Sequence, residues 1–264
     1  MSIGTPQRAA GVFYEEHGSG DDVIVWLHGF GSSTENWDRI VTEFPDHHSF
    51  VFDLPGHGES ADVLADGTIR GFAGPIVAAL DELGLERFTM IGYSTGGAVS
   101  MRIAIDHPTW VTRLIGVVPW YSGGGDADDA TLSAFAEVYG EEDAVKAACD
   151  GMAVADPPRY GRLLEDMLKV SEAVWKGFYT TGSRLSQADE LPGLEVPVTY
   201  LLGLEDNVVL AERSLQDVKA IPGGRAVVLA EAGHLCAYEI PDVIVRELRN
   251  CLEAGTPGAE GAAR

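Results

Sequence analysis

Cysteine is scarce in this sequence: Cys149, Cys236 and Cys251 are the three in 264 residues, with no C-x-x-C spacing. An odd count without that spacing argues against a disulfide framework and against a cysteine-based zinc site. Long apolar runs are missing as well. None approaches the roughly eighteen residues that a bilayer-spanning helix needs, so no membrane partner is expected. Positive charge is also short. Lys and Arg number 18 against 41 Asp and Glu, a formal charge of −23. A surface so acidic repels nucleic acid and anionic membranes, and neither is expected as a partner. It reads as a solvated surface and carries no information about chemistry. The opening "MSIGTPQRAAG" has no basic stretch followed by an apolar one, so no secretory signal is expected and the cytoplasm is the expected compartment. No internal repeat is found.

What is present suits a globular α/β protein. Hydrophobic residues make up 45% and charged residues 22% of the chain. Strand-like runs alternate with longer helical patterns, which implies parallel βαβ units. The strand-like runs are "VIVWLHG" (Val23–Gly29), "SFVFDLPGHG" (Ser49–Gly58), "RFTMIGYS" (Arg87–Ser94), "RLIGVVP" (Arg113–Pro119), "VPVTYLLG" (Val196–Gly203) and "RAVVLAEAGH" (Arg225–His234). Between them, "IRGFAGPIVAALDELG" (Ile69–Gly84) has helical spacing and ends on a glycine cap. "GGAVSMRIAIDHP" (Gly96–Pro108) stops before a proline. The rhythm breaks over 120–192, where four amphipathic stretches at a 3.6 period imply a helical insertion between two strands. The tail 255–264 is small, polar and glycine-rich, and is expected to be disordered.

"IGYSTGGAVS" (Ile91–Ser100) places Ser94 between Gly92 and Gly96, after a strand and before a helix. A lone G-x-S-x-G is weak, but a strand–turn–helix setting is what presents a hydroxyl above a sheet. The helix start beneath it favours developing negative charge. A serine hydroxyl needs a base. His234, in a glycine turn after the last strand, is the candidate. His28 and His57 lie in glycine-rich turns and read as loop-shaping residues. An acid must fix the histidine tautomer. Asp206 is preferred because a small turn and a helix follow it, and Glu205 is the alternative. A tetrahedral oxyanion needs aimed donors. The backbone N–H groups of Thr95 and of Phe30, in "LHGFGSSTENW", are the candidates. Cys236 reads as packing.

The blocks "LHGFGSSTENW", "FDLPGHGES", "IGYSTGGA", "LLGLEDNVV" and "EAGHLCAYEIP" resemble, in order and spacing, those of the α/β-hydrolase family. The resemblance spans Val12 to Leu252 apart from the insertion. It implies a mostly parallel, doubly wound sheet, with a core over 1–119 and 193–254 and a helical lid over 120–192. It also implies Ser94 as nucleophile, His234 as base, Asp206 as acid, and the Phe30 and Thr95 amides as oxyanion donors. Family branches with an aspartate nucleophile, the haloalkane dehalogenases and epoxide hydrolases, are disfavoured by Ser94. The opening blocks are similar to those of menaquinone-pathway elimination enzymes and meta-cleavage C–C hydrolases, although Ala98 stands where the elimination enzymes carry arginine. "GYSTGG" is similar to the cofactor-free perhydrolases, and "EAVWKGFYTTG" to lactonohydrolases. The expected activity is hydrolysis of a small apolar or aromatic carboxylic ester or lactone. Trp120 and Trp175 are expected to contact substrate, within a cleft that Tyr121, Phe178 and Tyr179 could also line. C–C hydrolysis, elimination, perhydrolysis and ligand reception without turnover are the alternatives. No cofactor or metal is expected, and a homodimer is allowed for.

Overall fold

The computed structural model describes residues 4–156 and 158–254, so the expected tail at 255–264 lies outside the described residues. Its centre is an eight-stranded sheet. The strands are β1 (Thr5–Ala9), β2 (Val12–His17), β3 (Val23–Leu27), β4 (His48–Phe52), β5 (Phe88–Tyr93), β6 (Val111–Val117), β7 (Val198–Gly203) and β8 (Arg225–Leu229). Their spatial order is β1-β2-β4-β3-β5-β6-β7-β8. From β4 to β8 every neighbouring pair is parallel. These six strands are the six apolar runs of the sequence. Helices cover both faces, so each strand buries successive residues on opposite sides. Val25 and Leu27 point into one core with Phe52, Phe72 and Val99. Ile24 and Trp26 point into the other with Trp37, Ile115 and Leu248.

The sequence pattern does not show the antiparallel hairpin β1–β2. It forms a sheet edge, where polar residues are tolerated on the open side. Its turn places Ala10 and Gly11 at φ 45° and 83°. Two central residues at positive φ match the twist of a two-residue hairpin.

Helices α1 (Asp38–Val41) and α10 (Pro241–Glu253) pack on one sheet face. On the other lie α2 (Ile69–Glu82), α3 (Thr95–Asp106) and α8 (Ala211–Ala220). Between β6 and β7 the chain forms α4 (Asp129–Glu137), α5 (Glu142–Met152), α6 (Leu163–Lys169) and α7 (Glu172–Thr180), the four amphipathic stretches of the insertion. Asp128 caps α4 by accepting from Thr131 N at 2.7 Å. A short helix α9 (Cys236–Glu239) leads into α10. None of the described helices is long and apolar enough to cross a membrane.

Candidate active site

Strands β3 and β5 are neighbours, but the chain leaves them in opposite directions, to β4 on one side and to β6 on the other. A crevice opens at the carboxyl ends of strands where the order reverses in this way. The loop Gly29–Phe30 after β3 and the corner Ser94–Thr95 after β5 flank it.

Ser94 has φ 48° and ψ −118°. For a residue with a side chain such a conformation costs about 1–3 kcal/mol, so the surroundings must enforce it. The glycines show how. A Cβ on Gly92 would stand 2.4 Å from Gly96 O, and one on Gly96 would stand 2.3 Å from His28 O. Backbone therefore meets backbone where β3, β5 and α3 converge. The Ser94 carbonyl accepts from Gly97 N and Trp120 N, each at 2.9 Å, while Ser94 N donates to Val117 O at 3.0 Å.

His234, on the loop after β8, places Nε2 3.1 Å from Ser94 Oγ. Its Nδ1 lies 2.9 Å from Asp206 Oδ2. Asp206 is buried in the loop after β7, and its Oδ1 accepts from Val208 N at 2.8 Å and Val209 N at 2.7 Å. One carboxylate oxygen thus holds the turn and the other faces the imidazole. Glu205, the alternative acid, is exposed. Tyr93 is a contributor that the sequence reading missed. Its hydroxyl donates to the His234 carbonyl and lies 3.6 Å from Cys236 Sγ. Cys236 is packing, as its setting suggested: burial pushes its thiol up to about 12.

The loop carrying Phe30 is fixed from below. Burial pushes His28 down to about 3, so the ring is neutral. Its Nε2 accepts from Leu54 N at 2.9 Å, which leaves the proton on Nδ1, 2.7 Å from Gly29 O. Asp53 accepts from Thr34 N and Glu59 N, each at 2.7 Å, tying this loop to the turn after β4. On the outer side, Ser33 Oγ donates to Asp166 Oδ2 of α6 at 2.6 Å. These contacts give His28 the loop-shaping place read from its glycine-rich turn.

Phe30, Ser94, Thr95 and His234 line one cavity of about 450 Å³. Thr95 is the first residue of α3, so its N–H has no partner within the helix. Aromatic and aliphatic side chains form most of the wall. Phe30 stacks on Phe178 with ring centroids 4.2 Å apart, and Trp120, Tyr121 and Tyr179 also line the space. Trp175 does not, which corrects one expected contact. It is buried, its Nε1 donates to Phe135 O at 2.8 Å, and its ring packs against Phe30 and Tyr179 outside the lining. Trp175 lies one helical turn before Phe178 and Tyr179, and packing of α7 on α4 holds it in the helical layer. Among the described residues, no group of three or more His, Cys, Asp or Glu could hold a metal ion.

A family model described as the alpha/beta hydrolase fold matches residues 22–187, more than half of the chain. The chain belongs to the α/β-hydrolase family. This α/β hydrolase is 29% identical over 241 residues to the dihydrolipoyllysine-residue acetyltransferase component of the acetoin cleaving system of Cupriavidus necator. That match covers 86% of the chain but 63% of the relative, so the chain spans just under two thirds of that protein's length. It is 26% identical over 253 residues to a 2-hydroxy-6-oxononadienedioate/2-hydroxy-6-oxononatrienedioate hydrolase of a Pseudomonas species, covering 88% of each. The structure of an enol-lactonase from Burkholderia xenovorans LB400 superposes with a TM-score of 0.82 at 19% identity, covering 94% of this chain and 99% of that one. At that identity the likeness speaks for the fold alone.

Proposed function

We propose that this α/β hydrolase cleaves a carboxylic ester or lactone through an acyl-enzyme on Ser94. Ser94 Oγ attacks the carbonyl carbon while His234 Nε2 takes its proton. Asp206 Oδ2 holds the imidazole by Nδ1 and stabilises the imidazolium that forms. The N–H groups of Phe30 and Thr95 receive the oxyanion, with the start of α3 beneath it. His234 then protonates the leaving alcohol, and water, deprotonated by the same nitrogen, releases the acid. Helices α4–α7 serve as the lid over an apolar acyl site. The observation that carries this reading is the continuous relay at the cavity: 2.9 Å from Asp206 to His234 and 3.1 Å from His234 to Ser94.

The match to the Pseudomonas hydrolase over 88% of both chains favours one competing reading, hydrolysis of a C–C bond in a vinylogous keto acid. Competition separates the two. With p-nitrophenyl butyrate, a γ-lactone and a vinylogous diketone offered together, kcat/KM for the ester or the lactone is expected to exceed that for the diketone by about tenfold or more, about 1.4 kcal/mol of transition-state preference. A diketone cleaved faster than either ester or lactone would overturn the ester reading. No sustained nitrophenol release from any ester, with no cleavage of the others, would point to a ligand receptor.

A further inference from the structure

Among the described residues lining the cavity, Arg213 is the one Lys or Arg. It stands at the cavity wall beside Asp126, which also lines the space, so a cation and its exposed partner meet the otherwise apolar lining there. Arg213 lies in the first turn of α8, and its placement is over-determined. The guanidinium carbon stands 4.0 Å over the Tyr121 ring. Nη2 donates to Gly124 O at 2.9 Å. Nη1 lies 2.8 Å from Asp126 Oδ1, but the Asp126 side chain is 84% exposed. Tyr121 is anchored in turn by accepting from Leu210 N, on the loop that carries Asp206. The group is thus aimed before any ligand arrives, and preorganised donors bind without a large ordering cost.

The pair with Asp126 is the weak link. An ion pair with one partner in bulk water contributes little and is screened by salt. A ligand carboxylate in the place of Asp126 meets Nη1 of the same guanidinium against a more apolar surround, where a charge-assisted hydrogen bond is stronger. Asp126 can therefore yield its place.

We propose that Arg213 selects substrates carrying a carboxylate remote from the scissile carbonyl: hemi-esters of dicarboxylic acids, or lactones with a carboxylate side chain. The apolar wall takes the carbon chain and Arg213 takes its charged end. The inference rests on the cavity being the acyl site of the reading above, and names the substrate class for it.

The test is binding, so that it does not depend on turnover. Ser94→Ala protein is titrated calorimetrically with the monobenzyl esters of succinate, glutarate and adipate, and with neutral benzyl alkanoates of equal length. The best-fitting hemi-ester is expected to bind about tenfold or more tighter than its neutral counterpart. Adding Arg213→Met should cut that ratio by about 10- to 100-fold, the range for a hydrogen bond to a charged group. Because Arg213→Met could loosen the loop at Gly124, Asp126→Asn is the second variant. It keeps the cation and removes its competitor, so the ratio should rise. A ratio near one in the Ser94→Ala protein, an equal loss for both esters on Arg213→Met, or a ratio lowered by Asp126→Asn would overturn the proposal. Turnover of the same esters by the unmodified protein is scored separately. Selective binding without turnover would sink the hydrolase reading and leave Arg213 in its role, whereas turnover without selectivity would sink only the role of Arg213.

Discussion

Ser94→Ala is expected to lower ester turnover by about ten thousand- to a millionfold, the range found when the nucleophile of such a triad is removed. The fold should survive, because Ser94 Oγ bonds to His234 and supports no backbone. The remaining rate should be that of oxyanion donors and binding alone. His234→Ala should cost a similar factor, and the double variant little more, because residues acting as one unit do not add. Stability gives a second readout. Ser94 holds φ 48°, so Ser94→Gly should raise the unfolding free energy by about 1 kcal/mol while abolishing turnover. Such a trade of strain for activity separates a functional corner from an ordinary loop.

Gly96→Ala should damage both stability and activity. The new methyl carbon would stand 2.3 Å from His28 O and 2.5 Å from Leu27 O. Both obstacles are backbone, so no side chain can swing aside. Helix α3 would have to move away from β3, carrying Ser94 and Thr95 with it. Overpacking of this kind costs about 1–3 kcal/mol or more. For a chain of this size, 1–3 kcal/mol lowers Tm by roughly 2–6 °C. The protein that still folds should turn over about a hundredfold more slowly, the penalty for a shift of about 1 Å among reacting groups. Gly151→Ala is the control. Gly151 lies within α5, no proline follows it, and a Cβ there meets nothing within 4 Å. There alanine should stabilise by about 0.5–1 kcal/mol, because only the helix propensity changes. Opposite signs for one substitution, read by thermal melts, would locate the effect in the β3–α3 contact.

Much of this was legible from the sequence because burial on both faces leaves a plain trace. Strands β3 to β8 appear as apolar runs, and the helices of the insertion show as amphipathic periods. The hairpin β1–β2 left a weaker signal, since "TPQRA" and "VFYEEH" alternate with charge at a sheet edge; Gly11 after Ala10 was the clue available. Ser94, His234 and Asp206 could be chosen because each ends a strand run, and the parallel sheet gathers such ends at one edge. Trp175 was misplaced for the opposite reason. Helical periodicity groups residues 175, 178 and 179 but cannot say which of them the neighbouring helix covers and which the cavity receives. Arg213 was not legible at all. It stands in the polar-looking "AERSLQDVKA", and only the loop after β6, folding Tyr121 beneath it, turns a surface residue toward the cavity. Tyr93 was hidden in the serine motif itself, where it reads as strand core while its hydroxyl secures the loop of His234.

The most direct measurement is covalent trapping. A fluorophosphonate reacts only with a serine whose proton is drawn off by a base, and its phosphonyl adduct imitates the tetrahedral intermediate. Peptide mapping by mass spectrometry should find one label per chain, on Ser94, formed rapidly in the native protein and slowed by a factor of a hundred or more in His234→Ala. Label on a different serine, or equal labelling with and without His234, would contradict a relay running from Asp206 through His234 to Ser94.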